Sequence, residues 1–131
     1  MQSILIVDDD VNLLRGLSRV LRHQPYELFT ASSAELAKEM FQRKAFDLVV
    51  VDQQMQGQPG TKFIRWLSKN FPKTVRIMLT GHADVEVMMA AINDGQVFRF
   101  MTKPCRDVEL AMAIRDGLDI PLKRLYSGSS S

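Results

Sequence analysis

The sequence predicts a doubly wound α/β domain, and two observations support this fold class. Five short apolar runs alternate with five stretches whose apolar residues recur at helical spacing, as in βα units in series. Right-handed crossovers between such units make the sheet parallel and place helices on both of its faces. The second apolar run is the weakest, which suits an edge strand. We therefore expect the flavodoxin-like (βα)5 arrangement, a five-stranded parallel sheet of order 2-1-3-4-5.

The predicted elements follow from the apolar pattern. The five strands are predicted over residues 4–7, 26–30, 48–51, 75–79 and 97–101. The apolar stripes of the five helices are predicted within residues 13–21, 37–41, 63–71, 85–92 and 108–118. Ser32 and Glu35 fit a capping box at the start of the second helix, and Gly95 fits the C-terminal cap of the fourth.

Composition and charge limit the class of protein. The chain has 131 residues, 17 of them basic and 15 acidic, for a net charge of +2. This balance gives no basic field, so we expect no direct nucleic-acid binding by this domain. No apolar run is long enough for a membrane span. Cys105 is the only cysteine, so no internal disulfide can form, which suits a cytoplasmic protein.

The chain is expected to form one domain with a short tail. Residues 1–120 contain all the predicted elements, and a chain of this length can bury a full hydrophobic core. Residues 121–131 end in SGSSS, a low-complexity C-terminal tail or linker that is either native or vector-derived. We expect any output domain to lie outside this chain.

Polar side chains follow four of the five predicted strands where each strand ends. Asp8 and Asp9 follow the first strand, Asp52 the third, Thr80 the fourth and Lys103 the fifth. The carboxyl ends of parallel strands lie at one edge of the sheet, where ligands bind. We therefore expect three carboxylates, a hydroxyl and an ammonium group to meet at one rim.

The charges at this rim predict a metal ion and a phosphoryl group. Two carboxylates about 5 Å apart repel by roughly 3 kcal/mol at an effective dielectric of about 20, so three of them need protonation or a cation. Oxygen ligands suit a partly hydrated Mg²⁺ that also admits phosphate. Lys103 adds a positive charge and Thr80 a hydroxyl donor, which together make a phosphoryl-transfer site. Asp52, alone at its strand end, is the expected nucleophile and would become an aspartyl phosphate.

Four segments in order, ILIVDDD, LVVVDQQM, MLTG and FRFMTKP, resemble the receiver domain of bacterial two-component response regulators. The resemblance covers residues 3–117. It implies that Asp52 is the phosphoacceptor, charged by a sensor histidine kinase or a phosphotransfer protein. It also implies that Mg²⁺ or Mn²⁺ is held by Asp8, Asp9, Asp52 and the backbone carbonyl of Gln54.

The same resemblance implies roles for the other polar and aromatic residues near the rim. Thr80 and Lys103 would contact the phosphoryl oxygens. Phe100 would form a switch pair with Thr80, turning inward to fill the space that the threonine leaves. Gln54 and His82 would tune the lifetime of the phosphoryl group.

The chain departs from the family pattern in the loop after the third strand. Gln56 follows Met55 where the family usually has proline, so the path of this loop is expected to differ while the site survives. Asp10 stands where glutamate is also common, and it is expected to cap the first helix. In this family the peptide corresponding to Lys103–Pro104 is typically cis.

Three other functions fit part of the pattern. A dehalogenase-type phosphatase uses a D-x-D-x-Thr/Val motif after its first strand. Asp8 and Asp10 match that motif, but Asn12 replaces the Thr/Val and Asp52 stays unexplained. A flavin-binding module needs a phosphate-cradling loop at this place, where three carboxylates would repel the phosphate. A binding module that keeps the fold without phosphorylation has no use for the intact acid set.

The resemblance implies a signalling switch rather than an enzyme, with Mg²⁺-dependent phosphorylation and slow autodephosphorylation. The surface of the fourth predicted helix, the fifth strand and the fifth helix would then control an output domain or partner. A homodimer through this surface is a further expectation. The segment DGQVFRFMTKPC is similar to receivers fused to HD-GYP cyclic-di-GMP phosphodiesterases, which points to such an output domain. A DNA-binding regulator and a stand-alone receiver stay open.

Overall fold

The computed structural model describes residues 1–55, 57–81 and 97–119. Within these ranges the strands are β1 (Ser3–Val7), β2 (Glu27–Ala31), β3 (Leu48–Asp52), β4 (Val75–Thr80) and β5 (Arg99–Thr102). The helices are α1 (Val11–Leu21), α2 (Ala34–Arg43), α3 (Gly60–Asn70) and α4 (Asp107–Asp119), the last being the fifth helix of the prediction. The helix predicted within residues 85–92, its cap Gly95 and the tail 121–131 lie outside the described residues.

The five strands form one parallel sheet in the order β2-β1-β3-β4-β5. This order confirms the predicted flavodoxin-like arrangement. β1, β3 and β4 lie in the middle of the sheet and are buried along their whole length. Their burial on both faces explains why their sequences are nearly continuous apolar runs rather than alternating patterns. No helix in the described ranges is long and apolar enough to cross a membrane.

Among the described helices, α1 and α4 cover one face of the sheet, and α2 and α3 cover the other. Successive strand residues point to opposite faces: Ile4 and Ile6 belong to the core shared with α1 and α4, whereas Leu5 and Val7 belong to the core shared with α2 and α3. Six aromatic side chains of the second core contact one another: Phe29, Phe41, Phe46, Phe63, Trp66 and Phe71.

β2 is an edge strand, as its weak apolar run predicts. It pairs only with β1, and only its last residue, Ala31, is buried. The side chain of Lys44 lies across this edge, with Nζ 4.8 Å from the ring centroid of Phe29 and 3.9 Å from Glu27 Oε1. A charged side chain on an exposed edge opposes pairing with strands of other molecules.

Side-chain caps fix the starts of the first two helices. Asp10 caps α1, and its Oδ1 accepts a hydrogen bond from Leu13 N–H at 3.1 Å, as predicted. The predicted capping box at Ser32 is wrong, because Ser33 is the cap of α2 and its Oγ accepts from Leu36 N–H at 3.1 Å. β2 runs one residue further than predicted, and this places Ser33 in the extended conformation that a cap requires.

Backbone hydrogen bonds continue the sheet beyond the ends of the strands. Gln53 N–H donates to Leu79 O at 2.8 Å, and Lys103 N–H donates to Thr80 O at 2.8 Å. The residues that follow β3 and β5 are therefore held in line with β4. This alignment brings the carboxyl ends of the strands to one level, as expected for a ligand-binding rim.

One buried charge in the core was not predicted from the sequence. Arg76 of β4 is fully buried, and its Nη1 donates hydrogen bonds to Thr74 O at 3.1 Å and Phe71 O at 3.5 Å. Both carbonyl groups belong to the segment that leads from α3 into β4. Because a buried cation is tolerated when it is hydrogen-bonded, Arg76 ties this connection to the strand.

We predict opposite effects of adding a methyl group at two helical glycines. In Gly117→Ala, the new Cβ would lie 2.7 Å from Leu48 Cδ1 and 3.0 Å from Val75 Cγ1. These side chains must then shift, so the free energy of unfolding should fall by about 1–3 kcal/mol. In Gly16→Ala, no atom lies within 4 Å of the new Cβ. The higher helix propensity of alanine should therefore raise the free energy of unfolding by roughly 0.5–1 kcal/mol. Urea unfolding measures both changes, and a Gly117→Ala protein as stable as Gly16→Ala would contradict this packing of α4.

Candidate functional site

Three carboxylates converge at the carboxyl ends of β1 and β3. One carboxylate oxygen from each of Asp8, Asp9 and Asp52 lies within 4.8 Å of the others. Asp8 is 1% exposed and Asp52 2% exposed, whereas Asp9 faces solvent. The acid cluster, as we call these three residues, is therefore closed on the side of the sheet and open on the side of Asp9, which lets a small ion enter from solvent.

Lys103 supplies a positive charge next to the acid cluster. Its Nζ lies 3.3 Å from Asp8 Oδ2 and 3.3 Å from Asp52 Oδ2. Burial lowers the pKa of Lys103, but the two carboxylates outweigh burial and hold this pKa above its ordinary value. The lysine is therefore protonated at neutral pH. It brings one positive charge to three acids, so the cluster still favours a further cation.

The surroundings of Asp52 disfavour its charged form. Burial raises the pKa of the Asp52 carboxyl, and the charge of Asp8 raises it further. Lys103 and the backbone N–H of Gln54 act in the opposite direction, but the pKa stays above its usual value. A cation bound beside Asp52 would lower this pKa, so ion binding and ionisation of the carboxyl are coupled.

Backbone N–H groups fix the orientation of the two buried carboxylates. Asp8 Oδ1 accepts a hydrogen bond from Asp10 N–H at 2.9 Å, and Asp52 Oδ1 accepts from Gln54 N–H at 3.3 Å. In both residues Oδ2 is the oxygen that faces Lys103. The loops that follow β1 and β3 therefore hold each carboxylate with one oxygen on the backbone and the other on the lysine.

The other residues predicted for the rim lie at the ends of β4 and β5. Thr80 is the last residue of β4 and is buried. A Cβ at Gly81 would lie 3.7 Å from Gln54 Oε1, so the side chain of Gln54 reaches from the β3 loop to the end of β4. The Lys103–Pro104 peptide is cis, as the resemblance implies.

Phe100 lies on β5, two residues before the end of that strand. It is half-buried, aligns with Met78 of β4 and packs against the core that α2 and α3 share. His82 and Gln56, the two other residues singled out in the sequence, lie outside the described residues.

The donor set of the acid cluster fits a hard divalent cation. All three side chains offer carboxylate oxygens, and neither histidine nor cysteine joins them in the part of the chain that the structure describes. Mg²⁺ and Mn²⁺ favour such oxygen ligands, whereas structural zinc sites are built mainly from nitrogen and sulfur. The cluster can therefore hold Mg²⁺ or Mn²⁺ with water completing its coordination.

Gln53 closes the loop between β3 and α3, a role that the sequence pattern does not predict. Its Oε1 accepts a hydrogen bond from Thr61 N–H at 3.0 Å, and its backbone carbonyl accepts from Gly60 N–H at 2.9 Å. The sequence does carry a signal for this contact. α3 begins after Pro59, which offers no capping side chain, so an acceptor for its first N–H groups must come from elsewhere.

Comparison with known families and proteins gives consistent matches. A family model described as the response regulator receiver domain matches residues 4–115. Among curated proteins, the transcriptional regulatory protein GlrR of Escherichia coli (strain K12) is 34% identical over 116 residues, which are 88% of this chain and 26% of GlrR. The chain spans about a quarter of the length of the curated relatives it matches.

Two solved structures share the fold over most of the chain. The signal receiver domain of an HD domain-containing protein from Pseudomonas fluorescens Pf-5 is 32% identical, with a TM-score of 0.84 over 90% of this chain and 87% of that one. The response regulator protein TrrA from Thermotoga maritima, solved in complex with Mg²⁺ and BeF, is 26% identical. Its TM-score is 0.79 over 90% of this chain and 100% of that one.

We predict that Asp52→Asn stabilises the protein when metal is absent. The substitution removes a buried negative charge that repels Asp8, so the free energy of unfolding at neutral pH in EDTA should rise. Because the pKa of Asp52 is raised on folding, the folded wild type binds more protons than the unfolded chain, and its stability falls as pH rises. The stability difference between Asp52→Asn and wild type should be largest above the raised pKa of Asp52 in the folded protein. It should vanish below the ordinary pKa of an aspartate in the unfolded chain.

Thermal unfolding of wild type and Asp52→Asn in EDTA, from about pH 3 to about pH 8, measures this difference. Asp9→Asn is the matched control, because Asp9 faces solvent and its charge affects stability less. An Asp52→Asn protein that is less stable than wild type at neutral pH would contradict the charge balance of the acid cluster.

Proposed function

The chain belongs to the response regulator receiver family, and from this membership we propose that Asp52 accepts a phosphoryl group from a sensor histidine kinase or phosphotransfer protein. Receiver domains are signalling switches rather than turnover enzymes. The observation that carries the proposal is the position of Lys103 Nζ, 3.3 Å from both Asp8 Oδ2 and Asp52 Oδ2. A purely structural ion pair needs one acid, whereas this lysine serves a cluster of three that favours a cation.

The transfer uses Asp52 as the nucleophile. One oxygen of its carboxylate attacks phosphorus, the P–N bond of the phosphohistidine breaks, and the imidazole leaves with the electron pair. Lys103 then pairs with an oxygen of the new phosphoryl group, and the Thr80 hydroxyl donates to another. Lys103 already lies beside Asp52 before the reaction, so this charge needs little reorganisation when the phosphoryl group arrives.

Asp8, Asp9, Asp52 and the backbone carbonyl of Gln54 would hold Mg²⁺, or Mn²⁺, in this proposal. When bound, the ion neutralises charge on the phosphoryl oxygens and on the attacking carboxylate. The exposed Asp9 is proposed as a direct ligand. Asp8 is proposed to act mostly through a bound water.

The proposed response to phosphorylation involves Thr80, Phe100 and the surface of β5 and α4. Thr80 moves toward the phosphoryl group, and Phe100 fills the space it leaves. Met112 and Val108 are exposed on α4, four residues apart and therefore on one face of the helix. They supply the apolar area through which a homodimer or an output domain is proposed to bind.

An output domain outside this chain is proposed to receive the signal. The curated relatives are about four times as long as the segment that matches this chain. One similar structure comes from an HD domain-containing protein. The latter supports an HD-GYP phosphodiesterase as the output. The curated relatives are named transcriptional regulatory proteins, so a DNA-binding output is the second candidate.

We predict that acetyl phosphate adds one phosphoryl group to this protein when Mg²⁺ is present. Intact mass spectrometry should show one adduct on the wild type, none in EDTA and none on Asp52→Asn, because Asp52 is the nucleophile. Gln42→Ala, an exposed change on α2, is the control and should be modified like the wild type. An adduct that persists on Asp52→Asn would place the nucleophile at Asp8 and favour the dehalogenase-type phosphatase. If the wild type takes up no phosphoryl group, a binding module that is not phosphorylated is the remaining interpretation.

We predict that Gln54→Ala slows dephosphorylation several-fold. The Gln54 side chain reaches to the end of β4, where its amide can orient a water toward the phosphoryl group, and its loss leaves that water less well positioned. The decay of the phosphorylated protein, followed by intact mass, measures the rate. Equal decay rates of wild type and Gln54→Ala would remove Gln54 from this role. His82, the other residue proposed to tune this lifetime, is tested in the same way by His82→Ala.

A further inference from the structure

We infer that Gln53 is a positioning residue for the phosphoryl and metal site, an inference that rests on the proposed function. Gln53 directly follows Asp52 and is bonded on three sides. Its N–H donates to Leu79 O at 2.8 Å, and its carbonyl accepts from Gly60 N–H at 2.9 Å. Its side-chain Oε1 accepts from Thr61 N–H at 3.0 Å. One residue thus joins β3, β4 and the first turn of α3.

The first turn of α3 depends on these bonds. The first N–H groups of a helix have no partner within the helix, and a capping side chain usually satisfies one or two of them. Pro59, at the cap position of α3, makes no side-chain hydrogen bond. Gln53 provides acceptors for Gly60 and Thr61 instead. The cap of α3 therefore comes from the residue next to the phosphoacceptor, not from the residue that precedes the helix.

The start of α3 also presses directly on the backbone of β3. A Cβ at Gly60 would lie 2.4 Å from Asp52 O and 2.9 Å from Gln53 Cα. Both contacts are with backbone atoms, so no side chain can rotate away to make room. The glycine and the Gln53 hydrogen bonds together fix α3 against the end of β3, and a shift of either one displaces the other.

This attachment reaches the metal site through Gln54. The N–H of Gln54 donates to Asp52 Oδ1 at 3.3 Å, and its carbonyl is the proposed backbone ligand. Because Gln53 is held on both sides, the peptide that follows it starts from a fixed position. Without the Gln53 side chain, the loop between β3 and α3 would have to become ordered when the ion binds. Ordering this backbone costs free energy, and that cost would weaken ion binding. We therefore expect Gln53 to act on Mg²⁺ affinity.

Two substitutions at Gln53 separate the acceptor from the size of the side chain. Gln53→Met keeps the length and removes the acceptor, while Gln53→Glu keeps an acceptor. Calorimetric titration of the full chain with MgCl₂ should give a Kd about tenfold higher for Gln53→Met. Gln53→Glu should bind at least as tightly as wild type, since its charge also favours a cation. Phosphorylation of Gln53→Met by acetyl phosphate should be slow at limiting Mg²⁺ and recover at saturating Mg²⁺.

Ser33→Ala is the matched control, because it removes a helix cap of similar length, Ser33 Oγ to Leu36 N–H at 3.1 Å. α2 contributes no acid to the cluster, so this variant should lose stability without a change in the Mg²⁺ Kd. Should Gln53→Met fail to fold, Gln53→Leu removes the same acceptor with another apolar side chain of similar size.

The outcomes separate this inference from the proposed function. The role of Gln53 alone would be overturned if the wild type is phosphorylated and Gln53→Met binds Mg²⁺ with the same Kd as the wild type. The same holds for Gln53→Leu if that variant is used. A tenfold change shared by Ser33→Ala would also overturn it, because the effect would then be general destabilisation. A wild type that neither binds Mg²⁺ nor accepts a phosphoryl group would overturn the proposed function, and this inference with it.

Discussion

The contacts between Lys103 and two buried carboxylates are the interaction on which the rest of the site depends. Lys103 follows β5, yet its Nζ lies 3.3 Å from Asp8, which follows β1, and 3.3 Å from Asp52 at the end of β3. The lysine therefore reaches past β4 to acids on two other strands. This geometry requires that β1, β3, β4 and β5 end at the same level of the sheet. The three central strands, buried along their length, provide that level.

The same interaction explains why the site favours a cation and supports the proposed phosphoryl group on Asp52. One lysine offsets only part of the charge of three acids. Burial of Asp52, together with the charge of Asp8, holds the pKa of Asp52 above its usual value. The folded protein thus keeps an unfavourable charge arrangement, which native proteins commonly tolerate at functional sites. The apolar strands beneath the cluster offset this cost. A bound cation relieves the repulsion, and the lysine then remains for the phosphoryl oxygens.

The sequence predicts most of this because buried parallel strands are readable as apolar runs and each rim residue directly follows one. What it does not predict depends on contacts between distant residues. Gln53 is eight residues from the N–H group that its side chain caps, and that bond exists only once α3 is docked. Arg76 interrupts a buried run, yet carbonyl groups of the preceding connection receive it. The cap of α2 at Ser33 rather than Ser32 follows from one extra residue of β2, which periodicity alone does not resolve.

We propose that the acid cluster and Lys103 together bind a divalent cation beside a phosphoryl group on Asp52. The most direct test is a crystal grown with Mn²⁺ and beryllofluoride, with diffraction recorded at the manganese absorption edge. We expect one anomalous peak bounded by Asp9, Asp52 and the Gln54 carbonyl, and a beryllofluoride group on Asp52 within hydrogen-bonding distance of Lys103 Nζ. A cluster without a manganese peak, or a beryllofluoride group bound elsewhere, would contradict it.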